Sequence, residues 1–178
     1  MADSEASPDI LNQLACMGLG QSLVELRTQR ADVARFAQGS YDALLNPPDP
    51  AGVSLVERGL IALHVALISH SAPLVAHYRQ RLVEHGAPAE SIGAVEQFPK
   101  GNALTPRLAS ILQHATMLIN EPHTATPEHL AQLQMHGVSG RDLVTISQLI
   151  AFLSFQVRVL AGLQLLVGEK KPRAWNIS

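Results

Sequence analysis

Glu57, His64, His70 and His77 are the residues of this chain whose types and spacing could do acid–base chemistry. A helix turns ~100° per residue, so Glu57, Ile61, His64 and Ile68 share one face, and that face is mostly apolar. Burial there raises a carboxylate pKa and a neighbouring cation lowers it, and such a group can serve as a general acid or base. Two structural roles stand beside the catalytic one. Glu57 lies three residues after Ser54, the spacing of a capping box, and it can equally form half of an ion pair. His77 belongs to the next helix and can fold back toward the first, which would gather Glu57, His64 and His77 at the mouth of a helix pair. Their spacing fits no zinc motif such as His-Glu-x-x-His, so no metal site is expected. A histidine on an apolar face is also often just a hydrogen-bonded core group, and that role is open for each of the three.

Two arginines are candidates for holding a carboxylate. Arg158 interrupts an otherwise apolar helix, and Arg107 opens another helix seven residues before His114. For Arg158 the competing role is an ion pair within the chain or between subunits. His114, between Ile111 and Leu118, is expected in the core. The single cysteine, Cys16, has uncharged neighbours and no cation nearby to stabilise a thiolate, so it reads as a small hydrophobe. One cysteine also excludes an intrachain disulfide and any dithiol motif. Trp175, in the tail, reads as a packing residue against a neighbouring subunit.

The elements that must position these residues follow a helical period almost throughout. Short helices are expected over Pro8 to Cys16 and around Ser91 to Val95, and a longer one from about Gln21 to Leu45, stopped by Asn46-Pro47-Pro48-Asp49-Pro50. Ser54 caps the helix that carries Glu57 and His64. Pro73 opens the helix that carries His77, which runs to about Glu84. Thr105-Pro106, Thr126-Pro127 and Ser139 with Asp142 mark three further starts, and the last helix reaches Gly168. The fold class is therefore all-α, one domain of seven or eight helices, with residues 1–8 as a frayed lead-in and 169–178 as a tail.

The 178 residues suffice for one sizeable core. Hydrophobic residues make up 47% and charged residues only 16%, which favours a surface covered by partner subunits. A net charge of -2 gives no electrostatic reason to expect nucleic acid, and the basic residues form no stripe apart from Lys170, Lys171 and Arg173. No signal peptide is read, and no apolar run is expected to reach the ~18 residues of a membrane span, because polar side chains interrupt 143–167. A cytoplasmic location, with no membrane partner, is the resulting expectation. No cofactor is called for.

The stretch Leu55 to Leu82 resembles the core helical pair of the carboxymuconolactone decarboxylase / alkylhydroperoxidase D-like family. In the peroxidase branch a Glu early in the first helix is followed by Cys-x-x-Cys and then His. Glu57 and His77 match the glutamate and histidine, but counting from Glu57 puts the cysteines at Ser69 and Ala72, and counting back from His77 puts them at His70 and Pro73. A serine cannot stand in for a thiolate that cycles through sulfenic acid and disulfide. Thr105-Pro106-Arg107-Leu108 and Ile150 to Arg158 are similar to the family too, and the subgroup most resembled is a thiol-free set of such domains. The resemblance implies a homo-oligomer, trimer or hexamer. Three functions are compatible with it. The foremost is a member without thiol peroxidase activity that binds a small apolar or acidic molecule or works beside a thiol-bearing paralogue. The second is a cofactor-free decarboxylase or isomerase, with Glu57 or His77 moving a proton and Arg107 or Arg158 holding a carboxylate. The third is the antioxidant peroxidase activity of the family.

Overall fold

The computed structural model describes residues 9–16, 29–101 and 103–168. Among them are eight α-helices and one 3-10 turn, and no strand: α1 (Ile10–Cys16), α2 (Ala31–Leu45), α3 (Leu55–Ile68), α4 (Ala72–Glu84), α5 (Ala89–Glu96), α6 (Pro106–Asn120), the 3-10 turn (Pro122–Thr124), α7 (Pro127–Met135) and α8 (Gly140–Gly168). The expectations for residues 21–28, the Cys16 side chain and Trp175 lie outside the described residues and side chains.

Local chemistry explains the boundaries. Ser54 and Thr105 each accept a hydrogen bond from the backbone N–H three residues on, at 3.1 and 3.2 Å, satisfying donors that a helix start leaves open. Ser139 and Asp142 close a full capping box, Asp142 N–H to Ser139 Oγ and Ser139 N–H to Asp142 Oδ2, both 3.1 Å. In α7 the reciprocal partner is a histidine, since the Thr126 N–H donates to His129 Nδ1 at 3.1 Å. At the far end of α7, Gly137 takes a φ of 79°, a left-handed turn that side chains resist.

α3 is the hub. It packs against α2, α4, α5, α6 and α8, and every residue from Arg58 to Ala66 is buried. A helix apolar on all sides belongs inside a domain, and Leu60, Ile61, Leu63 and Val65 supply that surface. α8 closes one flank with Ile146, Leu149, Leu153 and Leu160 facing inward. Over 140–165 this helix is long and apolar enough, by length and composition alone, to be a candidate for crossing a membrane, which corrects the expectation that no segment reaches that measure. Ser, Thr and Gln interrupt apolarity far less than charges do. Its buried side is part of the domain core.

Two buried arginines fasten the proline-rich connection between α2 and α3. Arg58 donates to Leu44 O at 2.7 Å, Val53 O at 2.9 Å and Pro50 O at 3.0 Å. Arg81 donates to Leu45 O at 2.6 Å and Asn46 Oδ1 at 2.8 Å, with its guanidinium 6.0 Å from the Tyr41 ring centre. The carbonyls at the end of α2 have no partner further along the helix, and these cations supply one.

Candidate functional site

The first turn of α3 holds a charged node. Arg107 Nε donates to Glu57 Oε1 at 2.9 Å and Nη2 to Glu57 Oε2 at 3.3 Å. Nη2 also donates to Gly52 O at 2.9 Å, Nη1 donates to Gly137 O, and Asp142 Oδ2 lies 3.7 Å away. The Glu57 hydrogen bond is the main reason the Arg107 pKa is raised above its ordinary value. Every nitrogen of the guanidinium is thus committed to the protein. Of the two structural roles open to Glu57, cap and ion pair, its side chain takes the ion pair. Its backbone N–H completes the Ser54 cap, while its carboxylate turns to Arg107.

His64 faces a different environment, a mainly apolar cavity of about 400 Å³ between the C-terminal half of α3, the Phe98–Pro99 turn and α6. Its Nε2 lies 2.8 Å from Thr116 Oγ1, and the Thr116 hydroxyl donates to Leu112 O at 2.9 Å. A hydroxyl has one hydrogen, so when Thr116 turns it to Leu112 O, Nε2 is the donor to Oγ1 and Nδ1 is the unprotonated nitrogen of that tautomer. The ring stands edge-on to Phe98, with centres 5.4 Å apart. Burial pushes the His64 pKa down to about 4, against a small opposing effect from the Leu112 carbonyl, so the ring is neutral at pH 7.

His77 belongs to a third cluster, between α2, α4 and α8. Its Nε2 lies 2.8 Å from Tyr41 Oη, and its ring packs edge-on against Tyr78 at 4.9 Å. Tyr78, fully buried, donates to Gln156 Oε1 at 2.5 Å. Burial first, then the charge of Arg81, lowers the His77 pKa to about 4. A cavity of about 290 Å³ adjoins it, lined by Leu14, Gln80, Arg81 and Glu84 among others.

The expected gathering of Glu57, His64 and His77 at one mouth is therefore corrected: each has its own partners. α3 explains why. Glu57 is in its first turn, and the junction with α4 lies past its other end, where His70 takes a left-handed φ of 52° and is exposed. Arg158 is exposed on α8, donates to Ser154 O at 2.9 Å, and has no ion-pair partner among the described residues. It shares no described contact with the node or either histidine. No group of three or more metal-ligating side chains occurs among the described residues.

Sequence reading missed Arg58, Arg81, Tyr41, Thr116 and Gln156 as members of these clusters. Only Arg58 left a signal, a cation between the cap residues and an unbroken apolar run.

No family model matches the chain. The solved structures that share its fold include two peroxidase-related proteins. One is an uncharacterized peroxidase-related protein from Silicibacter sp. TM1040, with TM-score 0.68 and 16% identity, covering 75% of this chain and 69% of that one. The other is an uncharacterized peroxidase-related protein from Ralstonia eutropha JMP134, described as an alkylhydroperoxidase AhpD core, with TM-score 0.66 and 19% identity, covering 88% and 84%. The chain has the all-helical fold of the AhpD core, as the resemblance of residues 55–82 implied.

Proposed function

We propose that this chain is an AhpD-fold protein of the thiol-free kind, without thiol peroxidase chemistry, which binds a small, mainly apolar molecule in the cavity beside His64. One observation carries the reading: the cavity is lined by Ile68, Phe98, Pro99 and Met117, with the neutral, oriented His64 as a hydrogen-bonding group. A neutral imidazole has one acceptor and one donor nitrogen, so a hydroxyl, which can serve either, is a ligand group that His64 suits. The segment 69–73, Ser-His-Ser-Ala-Pro, offers no sulfur for peroxide reduction.

The geometry lends less support to a decarboxylase or isomerase built on Glu57 and His77. Glu57 is neutralised by Arg107, His77 is tied to Tyr41, and four of the five Arg107 N–H donors are engaged by Glu57, Gly52 and Gly137, which leaves no pair of them for a substrate carboxylate.

The test is a titration with p-cresol and with toluene, followed by calorimetry and by the histidine ring signals in NMR. The expected result is that p-cresol binds and shifts the His64 signals, and that His64→Phe weakens p-cresol about tenfold while leaving toluene unchanged. Absence of binding by either compound would sink the reading. Peroxide turnover with dithiothreitol should stay at background, equally in Cys16→Ser.

We infer also that a second copy of this chain covers the outer side of α8. Val144, Gln148, Ala151, Phe155, Arg158, Gly162 and Leu165 are exposed there at alternating spacings of four and three, the repeat of a helix–helix seam.

A further inference from the structure

A second cavity, of about 240 Å³, lies between α6 and α7, and it shares two walls, Gln113 and Met117, with the His64 cavity. Both walls are long, unbranched side chains, and methionine in particular repacks at little cost. On the far side of them stands His114. Its two ring nitrogens are sealed from solvent and neither has a hydrogen-bond partner. A neutral imidazole carries one donor and one acceptor, and leaving both unmet inside a protein costs more than a typical hydrogen bond contributes. His129, across the same cavity, uses Nδ1 as an acceptor in the α7 cap, which leaves Nε2 as its N–H donor.

We propose that the two cavities are halves of one groove along α6, which takes an elongated molecule with an apolar body and an uncharged hydrogen-bonding end. The body lies beside His64 and Phe98. The end displaces the Met117 and Gln113 side chains and gives His114 the partner it lacks. An uncharged end is favoured over a carboxylate because no lysine or arginine lines either cavity, and Glu121 lines one of them. This inference rests on the ligand-binding reading of the His64 cavity and adds the length and polarity of the ligand.

Three probes test it, p-cresol, ω-phenylhexanol and ω-phenylhexanoate, titrated into the full chain with the methionine methyl groups labelled for NMR. Met117→Leu assigns the Met117 signal. The expected result is that ω-phenylhexanol binds at least about tenfold more tightly than p-cresol, shifts Met117, and binds more tightly than the carboxylate. His114→Phe, which keeps the ring volume and removes both nitrogens, should lower ω-phenylhexanol affinity about tenfold and leave p-cresol unchanged. If His114→Phe fails to fold, His114→Gln replaces it and should retain part of the gain. Binding of p-cresol with no advantage for the longer alcohol, or with an advantage that both His114 variants leave intact, would overturn the groove and leave the His64 site standing. Failure of p-cresol itself would overturn both.

Discussion

Arg107 grips Glu57 with two nitrogens, Nε to Oε1 at 2.9 Å and Nη2 to Oε2 at 3.3 Å, and so ties the first turn of α6 to the first turn of α3. The pair is only partly exposed, 26% for Arg107 and 16% for Glu57. Its strength falls between that of a surface pair and a buried one. Arg107→Met is expected to destabilise the fold by about 2 kcal/mol, and Glu57→Gln by less, because the amide still accepts one hydrogen bond. Urea denaturation measures both. A catalytic Glu57 would give the reverse pattern, full stability in Glu57→Gln with loss of an activity.

Gly52 supplies a second test of the same node. A Cβ added there would stand 2.1 Å from Asp142 Oδ1, and Asp142 is buried and held by Ser139 and Arg107. Gly52→Ala should therefore cost about 2 kcal/mol. In the double variant with Asp142→Ala the added cost of Gly52→Ala should largely vanish, and a denaturation cycle of the four proteins reads that coupling. Strict additivity would show that the two residues do not meet.

The pH dependence of stability follows from His64 and His77. Both have folded pKa values of about 4 against an ordinary 6.5. The unfolded chain then binds more protons between those values, so stability rises with pH across the window. The contribution of each neutral ring is complete above about pH 6.5 and is lost as pH falls toward 4. For His64 the loss should reach about 3 kcal/mol. Denaturation midpoints taken from pH 7 to pH 4 should fall steeply in the wild type and less steeply in His64→Phe. An unchanged slope would mean that His64 titrates normally in the folded chain.

The exposed stripe of α8 predicts assembly. Phe155 is 39% exposed and Val144 57% exposed. Light scattering after size exclusion should show an oligomer at micromolar concentration, and Phe155→Glu should shift it toward a single chain by placing charge in the seam. A wild type that runs as one chain at the highest concentration reached would exclude that use of α8.

The fold was legible because local chemistry dictates it. Ser54, Thr105-Pro106, Thr126-Pro127 and the Ser139–Asp142 box all mark helix starts within a residue or two of those found, and Pro47-Pro48 and Gly137 mark the stops. Most of the candidate site was not legible. Periodicity places Glu57 and His64 on one face, but it says nothing of what stands opposite. The partners lie far along the chain: Arg107 is 50 residues from Glu57, Thr116 is 52 from His64, and Tyr41 is 36 from His77. The distance along α3 also separates its first turn from the junction where the histidine motif was expected to meet it. A spacing rule read along one helix cannot supply that third dimension.

Arg58 and Arg81 together hold four backbone carbonyls around the proline-rich connection, and only one side chain, Asn46. A carbonyl is the same group whatever residue carries it. The clasp therefore reads the course of the main chain and is blind to its lettering. Apart from Gly52, crowded by Asp142, and the buried Val53, the residues of the connection are free to drift in sequence among relatives provided the path is kept, whereas the two arginines are not. In a chain with no matching family model, that pair is a better thread for finding distant kin than the loop it holds.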